Sequence, residues 1–149
     1  SYQIKLMKSN NYGITYTSIN ICNEANEVIK KNRKVIQELT YKKLLRNTII
    51  ATSTIVIDRE VVGDFRMPDY RSGQDYATWL LLLRNGEVAH GIDKALANYT
   101  RSSNSLSSNK SKNYKKVFKI QIEQEKISKL NAAINVIFYI INAVKKHYF

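Results

Sequence analysis

The chain has 149 residues, 44% hydrophobic and 24% charged, and its 24 Lys and Arg against 12 Asp and Glu leave a net charge of +12. That balance suits one packed domain and excludes a disordered tail, a collagen-like fibre and a disulfide scaffold. The single cysteine, Cys22, can form no intrachain disulfide, and one Cys with His90 and His147 cannot build a Cys-His metal site, so the compartment reads as reducing and cytoplasmic.

In chain order, Tyr2–Lys8 reads as the end of an amphipathic helix stopped by Asn10-Asn11-Tyr12-Gly13, residues that tolerate left-handed geometry. There is no initiating Met and no N-terminal signal pattern, so the chain reads as a piece of something longer. Ile14–Ile21 is rich in β-branched and aromatic residues and predicts a strand. The run Asn23–Asn26 then predicts a turn into a hairpin through Val28-Ile29 and, past the basic Lys30–Lys34, Val35-Ile36. Thr40 is placed to cap a short helix, Tyr41–Arg46, with Leu44 and Leu45 inward.

Ser53–Asp58 is a short β-prone run, and Gly63–Asp69, with the only proline, reads as loop. From Gln74 to Leu83 the recurrence of Tyr76, Trp79, Leu80 and Leu83 predicts a helix ended by Asn85-Gly86. Val88–Ile92 and Ala95–Tyr99 predict two short strands around an Asp93-Lys94 turn. Residues 101–112 are polar and Ser-rich, with the makings of a loop or linker. From about Asn113 a long basic helix is expected. On it Leu130, Ile134, Ile137, Ile141 and Val144 share one face, with Asn131, Asn135 and Asn142 off it.

The charge is unevenly spread: residues 1–100 hold 14 basic and 10 acidic side chains, whereas 101–149 hold 10 basic ones against Glu123 and Glu125 alone. Such a tail attracts a polyanion. Its apolar face rimmed by lysine suits a helix lying on anionic lipid, and it suits equally packing on the rest of the chain or on a second copy, giving a homo-oligomer. Nucleic acid is disfavoured, because no reader motif accompanies the charge. No apolar run approaches the ~20 residues of a membrane span.

Catalytic signatures are sparse. No phosphate-binding loop, dinucleotide fingerprint, nucleophile elbow or Asp-x-Asp pair is present. The most loaded stretch is Met67–Tyr76, which places two carboxylates and Arg71 just ahead of a helix. Asp75, in the first helical turn, has its anion favoured by the helix dipole and can accept a proton from a hydroxyl brought within reach. It can also serve only to cap or complement the helix, the reading that position alone favours.

Asn47–Asp58, followed by Gly63-Asp64-Phe65, Gly73-Gln74-Asp75-Tyr76-Ala77-Thr78-Trp79-Leu80 and Gly91-Ile92, resembles the second half of bacterial family 2 glycosyltransferases. These are of the kind that build capsular, O-antigen and teichuronic-type polysaccharides. The resemblance covers about the first three quarters of the chain, from Gln3-Ile4 to Asn104–Lys110. It implies an α/β, partial GT-A fold: a short mixed sheet with a hairpin in an acceptor-side half over 1–100, a loop over 101–112, and a basic helical tail over 113–149. It implies an inverting transfer from a nucleotide-sugar donor to a polyprenyl-diphosphate-linked or growing glycan, with Asp75 as general base, at the inner face of the cell membrane. Arg71, Gln74 and Trp79 become candidates for acceptor binding, although Trp79 at helical spacing also reads as core, Arg71 as a partner for Asp69, and Gln74 as a cap. Tyr99, Arg101 and Ser105 lie where the family closes a loop over the donor, and a Ser-rich linker is the other reading there.

The resemblance also implies a divalent cation, Mg or Mn, for the intact enzyme. The donor half of roughly another hundred residues that would carry its ligands is absent, so the chain alone is expected to be inactive and to hold no metal. The rival from another class is a non-catalytic basic module that binds anionic membrane or glycan, or that assembles oligomers.

Overall fold

The computed structural model describes residues 1–30, 34–47, 49–100 and 110–148. The fold is α/β with a mixed five-stranded sheet, as expected, and the chain divides into two compact units.

The first unit comprises Ser1–Thr40, Ile49–Asp64 and Glu87–Leu106. Helix α1, Tyr2–Asn10, is capped by the Ser1 hydroxyl and closed by Asn11 at φ 53°, the left-handed stop the sequence offers. Strand β1, Ile14–Cys22, is buried along most of its length on both faces, which is why its alternation is weak and its β-branched content high. It forms the expected hairpin with β2, Val28–Lys30, but Val35 and Ile36 are not part of it. Ile36 instead exchanges backbone hydrogen bonds with the Tyr16 hydroxyl, at 2.7 and 3.0 Å. Strand β3, Glu38–Leu39, pairs with a later strand instead.

Only Val56–Ile57, β4, realises the β-prone run Ser53–Asp58. Ahead of it Thr52–Thr54 coils into a single 3-10 turn, because the Thr54 hydroxyl bonds the Ala51 carbonyl at 2.8 Å and draws the backbone into a local turn. Asp58 then caps a four-residue helix, α3, Arg59–Val62, ahead of the Gly63–Asp69 segment.

The two strands expected around Asp93-Lys94 are one, β5, Ala89–Thr100, parallel to β1 along its whole length. The register shifts opposite Thr17–Ile19 absorb the extra residues between Ile92 and Ala97, so the expected turn is a bulge. Sheet order is β2-β1-β5-β3, with β4 on β1. Gly91 is required where it stands: a Cβ there would collide with the Ile36 carbonyl.

The second unit, Tyr41–Thr48, Phe65–Gly86 and Ser107–Phe149, is helical in its described residues. Helix α2, Tyr41–Leu44, buries Leu44, and Leu45 just beyond it is buried too. Helix α4, Gln74–Arg84, buries Tyr76 through Leu80 together with Leu82 and Leu83. The C-terminal helix comes in two pieces, α5, Lys110–Glu123, and α6, Lys129–Tyr148. They are parted by Lys126 at φ 55° and by the Ile127 amide turning back to the Gln121 carbonyl at 3.0 Å. No glycine or proline marks this break, so the sequence reads through it.

Candidate active site

The loop from Phe65 to Gly73 delivers the chain to α4, and Gly73 at φ +86° makes the final turn. A Cβ at Gly73 would come within 3.1 Å of the Ile120 side chain, so glycine also lets the start of α4 lie close against α5. The first turn is then tied down: the Ala77 amide bonds the Gly73 carbonyl at 3.0 Å, and the Thr78 hydroxyl donates to the Gln74 carbonyl at 2.6 Å.

Asp75 sits partly exposed in this turn, and one of its carboxylate oxygens accepts the Tyr76 amide at 2.8 Å. That amide is one of the donors a helix N-terminus leaves without an intrahelical partner. The dipole favours the anion, and the backbone hydrogen bond fixes its rotamer. The result is a partly exposed carboxylate on a helix whose next five residues are buried.

Of the residues singled out from the sequence, Gln74 and Asp75 open α4, and Arg71 lies in the loop just ahead of it. Arg71 is exposed, and no ion pair joins it to Asp69 among the described residues. Gln74 is the first residue of α4 and is partly exposed. Trp79 has 6% of its surface exposed and packs inside. Tyr99 is exposed on β5, opposite Ile21, in the first unit. Arg101 and Ser105 lie outside the described residues. His90 stacks face to face on Tyr12, ring centroids 3.5 Å apart, and burial lowers its pKa against the opposing pull of Glu38.

Behind Asp75 runs a polar network that sequence reasoning missed. The buried Gln121 amide donates to the Tyr76 hydroxyl at 3.1 Å and to the Leu45 carbonyl at 2.9 Å, and its oxygen accepts from Asn135 at 3.1 Å. Gln124 donates to the Ala77 carbonyl at 2.9 Å. The Glu125 carboxylate, its side chain 0% exposed, accepts from the Tyr41 hydroxyl at 2.9 Å and pairs with Arg84 at 3.4 Å. Burial first, then the bond to Glu125, pushes the Tyr41 phenol pKa well up, and burial does the same at Tyr76. These amides and the Glu125 carboxylate join α2, α4, α5 and α6, and so hold Asp75's helix in place. The one signal in the sequence was Asn135 lying off the apolar face, which by itself names no partner.

Among the described residues no three His, Cys, Asp or Glu side chains are grouped to hold a metal ion.

No family model matches the chain, and no solved structure matches it. Three curated proteins do. It is 37% identical to TuaG of Bacillus subtilis (strain 168), by name a teichuronic acid biosynthesis glycosyltransferase, over 97% of this chain and 57% of that protein. It is 31% identical to WfgD of Escherichia coli, over 99% of this chain and 57% of that protein. To WfaP of the same species it is 30% identical, over 100% of this chain and 58% of that protein. Both Escherichia coli proteins carry the name UDP-Glc:alpha-D-GlcNAc-diphosphoundecaprenol beta-1,3-glucosyltransferase. The likeness to glycosyltransferases of surface-polysaccharide synthesis, read from the Gly73–Leu80 block, is thus borne out, and the chain spans somewhat over half the length of each relative.

Proposed function

From a chain homologous to bacterial polysaccharide-building glycosyltransferases over 57–58% of their length, we propose the acceptor-binding part of a family 2, inverting enzyme. That enzyme moves a sugar from a nucleotide-sugar donor to a lipid-linked or growing glycan. Donor binding belongs to the portion of the relatives that this chain does not span, and the chain alone is inactive.

In this reading Asp75 is the general base. An acceptor hydroxyl gives its proton to the Asp75 carboxylate as its oxygen bonds the anomeric carbon. The bond from that carbon to the nucleoside diphosphate breaks on the opposite face, inverting the configuration. A weak base suffices because the hydroxyl becomes acidic only as the new bond forms, and accurate placement supplies the rest. Arg71 binds acceptor oxygens through its planar fork, Gln74 orients the same group, and Trp79 anchors the helix from within.

A divalent cation, Mg or Mn, would neutralise the departing diphosphate in the intact enzyme. The described residues offer no donor set that fits one, and no step above passes through it. Among the described residues no helix is long and apolar enough to cross a membrane. The proposed reaction runs at the cytoplasmic face of the membrane that carries the acceptor, a reading supported by the diphosphoundecaprenol-linked acceptors in the names of WfgD and WfaP.

The observation that carries the proposal is the Asp75 carboxylate, partly exposed and pinned by the Tyr76 amide at 2.8 Å on a buried helix. It is tested by titrating the isotope-labelled chain with an N-acetylglucosamine diphosphate bearing a short, soluble lipid. Saturable amide shifts centred on Arg71–Thr78 are expected. Shifts that leave this junction untouched would remove it as the acceptor site.

A further inference from the structure

Helix α6 packs on a narrow face and leaves a broad apolar face outward. Ala132, Asn135 and Tyr139 are buried, with Asn135 bonded to Gln121 of α5 and the Tyr139 ring edge-on to Tyr114. Leu130, Ile134, Ile137, Phe138, Ile141 and Val144 are between 38% and 73% exposed. At 100° per residue these six side chains fall in a band of roughly 120°. No charged residue interrupts the helix from Leu130 to Val144, whereas exposed Lys129 precedes that stretch and exposed Lys145 follows it. Beside the stripe, the Arg46 guanidinium stands 4.7 Å over the Phe138 ring, next to exposed Lys42 and Lys43.

The charge gathers in this same unit: it holds 15 basic and 4 acidic side chains, a net +11, against 9 and 8, a net +1, in the first unit. An apolar stripe framed by cations complements a surface that is greasy in its interior and anionic at its rim, which describes a bilayer containing acidic lipid. A second copy fits less well, since pairing through this face would bring two lysine rims together.

We propose that the outer face of α6 is a membrane-docking surface, lying in the plane of an anionic bilayer with Ile134, Ile137 and Ile141 among the acyl chains and Lys129, Arg46 and Lys145 at the phosphates. The inference stands on the stripe and its charge, and holds whatever the role of Asp75.

The test is flotation of the 149-residue chain with vesicles of equimolar phosphatidylglycerol and phosphatidylcholine, or of phosphatidylcholine alone. Binding to the acidic vesicles is expected, falling about tenfold or more on neutral ones and weakening as salt rises. Ile137→Asp with Ile141→Asp removes it while circular dichroism is unchanged, since both side chains are already exposed. No affinity of the unmodified chain for acidic vesicles overturns the proposal. So does a dimer in sedimentation velocity that the same double variant dissolves while vesicle binding is absent, which would make the stripe a contact between copies.

Discussion

The phenol of Tyr16 is fully buried, its oxygen engaged by both backbone groups of Ile36, and burial pushes its pKa up to about 12, against the lesser downward pull of the Ile36 hydrogen bond. A folded-state pKa above the unfolded value of about 10 means that the neutral phenol is favoured by folding. The stabilisation is complete below pH 10 and is lost as pH rises toward about 12. Tyr41 and Tyr76 shift in the same direction, each mainly through burial. Thermal melting followed across the alkaline range is therefore expected to hold level to about pH 10 and then fall, with the Tyr16 phenolate forming only as the chain unfolds. Phenolate absorbance rising from Tyr16 in the still-folded chain at pH 10 would contradict this burial.

At the scale of elements, the buried Glu125 links α2, through Tyr41, to α4, through Arg84. Removing its carboxylate strands the Tyr41 hydroxyl and loosens the exposed Arg84. Glu125→Ala is expected to cost about 1–3 kcal/mol, read as a lower urea midpoint, with Glu125→Gln closer to the unmodified chain. An unchanged midpoint for Glu125→Ala would mean that the network does not hold these helices.

Elements whose signals are local could be read from the sequence. Asn11 stops α1, β-branched content marks β1, and the spacing of Tyr76, Trp79, Leu80 and Leu83 marks α4. What escaped depends on partners distant in the chain. Asp93-Lys94 looks like a turn until β1 pairs alongside and turns it into a bulge, and Lys126 adopts φ 55° without a glycine to announce it. Likewise Gln121, Gln124 and Glu125 are ordinary polar residues of a helix end until Tyr76, Ala77 and Arg84 reach them.

For the whole molecule, the first unit supplies a nearly neutral sheet, and the second carries the loop–helix junction, the polar network and almost all the net charge. The junction itself was legible as the start of a helix. The role proposed for it rests on the resemblance of the Gln-Asp-Tyr-Ala-Thr-Trp-Leu block and on relatives that are glycosyltransferases, because position alone cannot tell a base from a residue that complements a dipole. The most direct measurement is single-turnover transfer by an enzyme that unites this segment with a donor-binding part, comparing Asp75 with Asp75→Asn at equal acceptor saturation. Loss of the carboxylate is predicted to slow the chemical step by about 10²–10⁴-fold while acceptor affinity and fold persist. Transfer at an undiminished rate would contradict the assignment of the proton to Asp75.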